Sequence, residues 1–501
     1  MRNQKLILGW ASGALLTAAA LAAAAALGPL GLAAAATPAR TPGGGTVSQT
    51  NLVSDLPGAA GVTDPNLVNA WGISESSGSP FWISDNNSGL STLYQVPGAG
   101  NTPVTVNPLA VKIPTPVGLT GGTPSGTVFN TGAAGGAFPV TGPNKTGQKT
   151  TAPAAFLFAT EDGTIVGWNP GIDPSQQFSG PGGASAQGVL AVDNSGNNFT
   201  NPDPSRQTGA VYKGLAIATA SAPIISGDAG STAVLYAANF RAGRVEVYDA
   251  NLSQVKSLPA GAFRDPRLPA HYAPFNVQVL NGKVYVSYAL QDATRHDDVA
   301  GPGHGFVDVF NLDGTPGLAG GKIRLISRGS LDSPWGLAIT PPNFAGIHAP
   351  GNDPVLLAGN FGNGFINAFD ATNGARLGPI KDPDGEPIQI DKLWALQVGN
   401  GGAGGATDTV YFTAGIFDES HGLFGALSTA TAGTPEGPAE GQWVQANLDV
   451  VQLDVQQLAK DASSGAPEAT IRQDTRTLRA DTRSLVLAER DFGKDAIEDA
   501  H

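Results

Sequence analysis

The 501-residue chain contains no cysteine. That excludes disulfides, thiolate metal sites and a cysteine nucleophile. Basic charge is scarce, with 28 Lys+Arg against 41 Asp+Glu for a net charge of −13, and no basic patch is visible. A nucleic-acid reader needs such a patch, so that function class is excluded. No G-x-S-x-G occurs, so the local signature of many Ser/His/Asp hydrolases is missing. The glycine runs Gly43–Gly45 and Gly399–Gly405 do not join a strand to a helix, as a phosphate-cradling dinucleotide motif would. The long apolar run lies at the N-terminus, Leu6 to Ala36, behind Arg2 and Lys5 and with an A-x-A site within Ala33–Ala36. Residues 1–36 are expected to be a signal peptide and 37–50 a flexible linker, which makes the mature chain secreted or extracytoplasmic. An uncleaved N-terminal segment is the one membrane attachment the sequence offers.

What the chain has in quantity is glycine, 68 residues, and proline, 38, set between short apolar runs. Runs of this length bounded by turn residues are strands. The clearest unit is Leu331–Gly374, LDSPWGLAITPPNFAGIHAPGNDPVLLAGNFGNGFINAFDATNG, in which Asn363-Gly364 marks a tight turn. The unit recurs. Aligning the middle residue of its first strand gives Gly72 in AWGIS, Gly126 in PSGTV, Gly214 in YKGLA, Asn276 in PFNVQ, Gly336 in PWGLA and Ala395 in LWALQ, at intervals of 54, 88, 62, 60 and 59 residues. Six copies of a four-strand unit that cannot bury both faces alone imply radial closure, so residues 51–428 are expected to form an all-β, six-bladed β-propeller. The orphan strand Asn51–Leu56 is placed to complete the sixth blade. Two insertions in the second blade, Gly132–Thr151 and Pro170–Gln207, are expected to be loops. In the latter, Asp193, Ser195 and Asn197 alternate like part of a calcium loop but lack the closing Glu.

Strand order then assigns the loops to faces. The loop leading into each inner strand and the loop between the second and third strands share one face, and function usually sits on such loops. The candidate ligand face comprises Asn66, Asn69, His271, Asn276, Trp335 and Trp394 from the first group, and Asp85, Glu161, Asp162, Asn239, Arg241 and Asn360 from the second. Four of the six histidines fall on these loops. His296, Asp297, Asp298 and His304 in blade four and Asp418, Glu419 and His421 in blade six are expected to meet at the channel mouth as a divalent-metal site. Two histidines with carboxylates suit a transition ion better than Ca²⁺, and Asp418 or Glu419 is then the candidate base for a metal-bound water.

The stretches DPNLVNAWGIS, FWISDNNSGLSTLY, HDDVAGPGHGFVDVF, SPWGLA, GNFGNGFINAFD and AGIFDESHGLFG closely resemble a family of uncharacterised secreted bacterial proteins, many of which end in a PEP-type sorting tail. That family is similar to the NHL-repeat and gluconolactonase-type six-bladed propellers. The resemblance covers roughly residues 50–428 and implies the fold but no activity. This chain departs after Ser428, where no Pro-Glu-Pro occurs. Beyond a linker at 429–440, Val444, Leu448, Val451, Val455 and Leu458 recur at helical spacing, and Ile471, Leu478, Leu485 and Phe492 recur every seven residues. Residues 441–501 are thus expected to form a helical hairpin, either a cap or a self-association arm. Two functions follow from the sequence. One is a binding or scaffold protein that uses the loop face for a small molecule, glycan or protein. The other is a metal-dependent, lactonase-like hydrolase at the channel mouth.

Overall fold

A computed structural model of the chain describes residues 46–98, 103–196, 209–225 and 230–430, with a few positions between 455 and 471. Within the described residues the strands form six sheets arranged as blades, plus one inserted hairpin. Their inner strands are Ala70–Ser74, Pro124–Phe129, Tyr212–Thr219, Tyr272–Leu280, Pro334–Ile339 and Leu393–Val398. Each packs against the next in chain order, and the last packs against the first, so the ring is closed. Each blade continues outward as an antiparallel meander. Blade five, for example, runs Pro334–Ile339, Val355–Asn360, Ile366–Asp370 and Arg376–Pro379.

Closure is made by the N-terminal strand Val47–Ser54, which pairs antiparallel with Leu423–Thr429, the third strand of blade six. The expected orphan strand therefore does close the ring, beginning four residues earlier than the sequence suggested. Val53 from this strand is fully buried among Phe81, Tyr94 and Phe424, so closure removes an exposed sheet edge and adds core at once.

The six-fold repeat is visible in one hydrogen bond. The carbonyl of the residue before each inner strand accepts from the N–H of the residue just past the second strand. The acceptors are Asn69, Thr123, Val211, His271, Ser333 and Lys392, and their donors are Asn86, Glu161, Phe240, Gln291, Phe361 and Gly415, at 2.7–3.0 Å. Four of the acceptor residues (Asn69, His271, Ser333 and Lys392) have positive φ. That conformation is costly for residues with a side chain, and here it turns the chain sharply into the ring.

The recurring glycines are explained by the centre of the ring. A Cβ on Gly126 would lie 2.3 Å from Leu215 N, and one on Gly214 would lie 2.2 Å from Asn276 Oδ1. Neighbouring inner strands approach too closely there for any side chain. The residue before each of the six aligned positions belongs to a layer across the channel: Trp71, Ser125, Lys213, Phe275, Trp335 and Trp394, all buried. Cross-blade bonds lock the layer. Trp335 Nε1 donates to Lys213 O at 3.0 Å, Ser125 Oγ donates to Tyr212 O at 2.6 Å, and the Thr413 hydroxyl donates to Trp71 O. The channel is filled by indoles.

Both insertions differ from expectation. Residues 132–151 include most of a hairpin, Pro139–Pro143 with Lys149–Pro153. It is anchored by the buried Phe138 and Val140 and by Asn130 Nδ2, which donates to Ala137 O and Ala154 O. The stretch is short of apolar residues, but two deeply buried ones suffice to hold it. Within 170–207, Val189–Asp193 is the fourth strand of blade two rather than loop. Asp193 Oδ1 accepts from Ser195 N and Oγ, an Asx turn rather than half of a calcium loop. Asn197, the segment 1–45 and most of 431–501 lie outside the described residues. Of the expected helices, Val455, Gln456, Leu458–Lys460, Ser463 and Ile471 are helical. No described helix is long and apolar enough to cross a membrane.

Candidate functional site

The loop face carries one dense cluster of charge, and Lys213 is its centre. Lys213 comes from the inner strand of blade three, where other blades supply Trp, Ser or Phe. Its side chain is only 3% exposed. The ammonium pairs with the Glu161 carboxylate of blade two and with Asp297 Oδ1 of blade four at 3.1 Å. Burial alone would lower the lysine pKa, but Glu161, Asp297 and Glu419 outweigh it and hold the value above the ordinary lysine range. Glu161 is fixed from its other side by Asn86 Nδ2 at 2.8 Å, and Asp297 Oδ1 also meets His296 Nδ1 at 2.7 Å. Burial opposes ionisation of Asp297, yet His296 and Lys213 together hold it below the usual carboxylate range.

Below this cluster runs a stack of aromatic rings with an ammonium at each end. Lys213 Nζ sits 5.0 Å from the Trp71 ring centre. Trp71 stacks on Trp394 at 3.6 Å, and Trp394 stacks on Phe361 at 4.1 Å. Lys392 Nζ lies 4.6 Å from the Phe361 ring and pairs with Asp418 Oδ1 at 3.2 Å. An ammonium over an aromatic face gains about 0.5–2 kcal/mol, more as it is desolvated. The stack thus pins two cations on a rigid floor.

Glu419 lies within reach of the charge on both lysines. Its loop is strained. Phe417, Asp418 and Glu419 have φ of 55°, 51° and 69° in succession. Non-glycine residues held there cost of order 1–3 kcal/mol each and cluster at functional sites. The turn is held by Glu419 N to Gly415 O at 2.8 Å, by Phe417 N to Asp391 Oδ2 at 3.0 Å and by Asn87 Nδ2 to Glu419 O at 2.6 Å. It turns the Glu419 side chain inward, where Oε1 accepts from Asn69 Nδ2 at 3.1 Å. Burial pushes this carboxyl up to about 7; the two lysines and Asn69 pull it down, and Glu161 adds to the rise. Asp298 is also pushed up by burial. Its carboxyl lies against the hydroxyl of the fully buried Ser333, which pulls the value back down.

The two loops expected to form a seven-residue metal set instead pair with two different ammonium groups, Asp297 with Lys213 and Asp418 with Lys392, while Glu419 acts on Lys213 through its charge. Among the described residues, the group whose ligand atoms lie within 4.8 Å of one another is Glu161, His296 and Asp297. His304 is turned away, with Nδ1 2.8 Å from Val299 O, and His421 Nδ1 meets Asp55 Oδ2 at 2.7 Å beside the closing strand. Asp418 is taken by Lys392. Local loop closure and blade closure have claimed those side chains.

Of the expected ligand face, Asn69 and Glu161 join the cluster, and Trp335 and Trp394 form its floor. Asn276 is buried and bonds Trp335 O at 2.8 Å. Asn239 bonds Glu246, Asn360 bonds Ser330 O, and Asp162 accepts from Thr123 N and Oγ1, all of which organise turns. Asp85 is fully buried inside blade one, where Oδ2 accepts from Thr92 N. Arg241 Nη1 bonds Gly209 O, Asn66 bonds Asp64, and His271 is exposed. Strand order puts Lys213 and Asn86 on the same loop face, though outside the candidate ligand set, and Lys392 and Asn87 are absent from both. Lys213 had a signal, since YKGLA puts a lysine where AWGIS, PWGLA and LWALQ put tryptophan.

No family model matches the chain. Two uncharacterised proteins of Acanthamoeba polyphaga mimivirus are similar to it. Protein R648 is 31% identical over 385 residues, covering 75% of this chain and 78% of that protein. Protein L690 is 29% identical over 381 residues, covering 75% and 84%. Among solved structures, a streptogramin B lyase (11% identity, TM-score 0.36, 77% of this chain and 97% of that one) and a glucose dehydrogenase (13%, 0.35, 73% and 98%) are distant likenesses. These two say nothing of activity. The expectation of a bacterial family is corrected by the relatives, which are viral. The identity to R648 across more than two thirds of both proteins shows that the chain belongs to the same family as this uncharacterised mimivirus protein.

Proposed function

We propose that this protein is a ligand-binding propeller whose site is the loop-face mouth around Lys213. One observation carries the reading. A lysine, 3% exposed and paired with a carboxylate 11% exposed, occupies a ring position that three other blades fill with tryptophan. Withdrawing such a pair from water costs several kcal/mol per ion, and apolar replacements of similar volume are often neutral or stabilising. Packing alone therefore favours an apolar residue at this position. The strained turn under Glu419 supports the same reading, because it spends stability to aim one carboxyl at the mouth. The N-terminal segment 6–36 supports a secreted or extracytoplasmic location.

A second reading rests on Glu161, His296 and Asp297, whose grouping suits a divalent ion and metal-dependent hydrolysis. The Lys213 ammonium already bonds both carboxylates, so an ion would have to displace a buried cation. Metal analysis of the purified protein separates the two. The binding reading is tested by replacing the pair with a neutral one, Lys213→Met with Glu161→Gln, which should remove ligand binding and leave the fold intact.

A further inference from the structure

The sequence holds four Asn-Gly pairs, beginning at 281, 363, 373 and 400, and all lie within the described residues. Such a pair can modify itself. The main-chain nitrogen of the glycine attacks the asparagine side-chain carbon, and a glycine leaves that approach open because it has no Cβ. The attack needs a side-chain amide able to swing and a glycine N–H able to lose its proton. Three of the pairs are denied both. Asn363 Oδ1 accepts from Asn360 Nδ2 at 3.0 Å and from Phe365 N at 3.2 Å, while Gly364 N donates to Asn360 O at 3.0 Å. Asn373 Nδ2 donates to Asp370 Oδ2 at 2.6 Å, Asn373 Oδ1 accepts from Ala375 N at 2.8 Å, and Gly374 N donates to Asp370 O at 2.8 Å. Asn400 Nδ2 donates to Ser76 O and Ser79 O, its Oδ1 accepts from Gly402 N and Gly404 N, and Gly401 N donates to Gly405 O at 2.8 Å.

Asn281-Gly282 is built differently. It is the two-residue turn between Tyr272–Leu280 and Lys283–Leu290 of blade four, with φ of 49° and 72°, on the face opposite the mouth. Both residues are exposed, and among the described residues nothing bonds the Asn281 side chain or Gly282 N. Packing repeats the contrast. A Cβ on Gly364 would lie 2.3 Å from Ile390 O and one on Gly374 would lie 2.0 Å from Leu325 O, whereas one on Gly282 would meet nothing within 4 Å. Ring closure requires Asn281 to leave its left-handed conformation, and no neighbour packed on Gly282 resists that. We infer that Asn281 is a site of spontaneous deamidation in the folded protein, and that the fold shields the other three asparagines. Gly282 N forms a bond to Asn281 Cγ, the Cγ–Nδ2 bond breaks, and ammonia leaves with the proton from Gly282 N. Water then opens the succinimide ring at either carbonyl, giving an aspartyl or an isoaspartyl residue at position 281. Each event adds a negative charge. The isoaspartyl product also lengthens the main chain at a turn that the Leu280–Lys283 pairing holds closed.

The test is prolonged incubation of the folded full chain at pH 8, followed by peptide mapping with mass spectrometry and by isoelectric focusing. Aspartyl and isoaspartyl products should accumulate at position 281. Positions 363, 373 and 400 should trail by about a hundred-fold, because each must first break at least three hydrogen bonds. The same incubation in guanidinium chloride removes the fold, and all four positions should then convert at similar rates. Asn281→Gln, whose longer side chain closes the ring poorly, should stop the acidic drift of the folded chain, with circular dichroism checking that the variant is folded. Conversion at 281 no faster than at the other three in the folded chain overturns the inference. So does a gap among the four that persists in the unfolded chain, or an acidic drift that survives Asn281→Gln.

Discussion

Glu419 should make the stability of this protein fall as pH rises from about 4.5 to about 7, the reverse of what paired carboxylates usually do. Its folded-state pKa is about 7 against an ordinary 4.5, because burial favours the protonated form. Below about pH 4.5 the group holds its proton in both states and its contribution to stability is fully present. Between 4.5 and 7 the unfolded chain releases the proton while the folded chain keeps it, so stability drops by up to ~1.4 kcal/mol per pH unit. Over that window the loss approaches about 3 kcal/mol for this residue. Glu75, pushed up to about 8 by burial, and Asp308, pushed up to about 6, add losses of the same sign. Depressed Asp297 works the other way, but only at lower pH. Urea unfolding of the full chain at pH 5, 6, 7 and 8 reads the slope directly. Glu419→Gln removes one titrating group and should flatten the fall between pH 5 and 7 by roughly 2 kcal/mol. Parallel curves for wild type and Glu419→Gln, or a wild-type stability that rises steadily with pH, would refute the placement of Glu419 as a buried, poised carboxyl.

Two predictions concern the ring. Deleting Val47–Ser54 strips the closing strand from Leu423–Thr429 and exposes that edge; aggregation or loss of cooperative unfolding is expected, and an unchanged melting temperature would show that the ring closes otherwise. Gly126→Ala sets a Cβ 2.3 Å from Leu215 N and should cost about 3 kcal/mol or more in chemical denaturation, whereas Gly78→Ala, with nothing within 4 Å, should shift stability by less than ~1 kcal/mol.

The fold was legible because each copy of the repeat carries the same local chemistry. The token at Gly72, Gly126, Gly214 and Gly336 recurs because inner strands meet there without room for a side chain. The sharing of a face by Asn69, Asn86 and Glu161 followed from strand order alone. The site was less legible, because its bonds join residues far apart in the chain. Lys213 meets Glu161 from 52 residues away and Asp297 from 84, and His421 is claimed by Asp55 from 366. A histidine-rich loop advertises metal ligands in sequence, but His304 spends a ring nitrogen on the nearby Val299 carbonyl. Blade two hid its outer strand for a different reason: Val189–Asp193 follows a long Gly- and Pro-rich connection, and its burial is only partial.

The central claim is that the charges at the mouth serve binding at the expense of stability, and one set of measurements addresses it most directly. Unfolding free energies are taken for wild type, Lys213→Met, Glu161→Gln and the double variant, with thermal shifts against a panel of soluble amines and polyols. Lys213→Met strands the Glu161 carboxylate and should lose about 3 kcal/mol or more, whereas Glu161→Gln leaves Lys213 paired with Asp297 alone and should lose less. The double variant, with an apolar chain beside a neutral amide, should return to within ~1 kcal/mol of wild type or exceed it, and should no longer respond to any compound that shifts the wild type. A double variant destabilised by the sum of the two singles, and still responsive to such a compound, would contradict the account and make the Lys213–Glu161 pair a structural bolt.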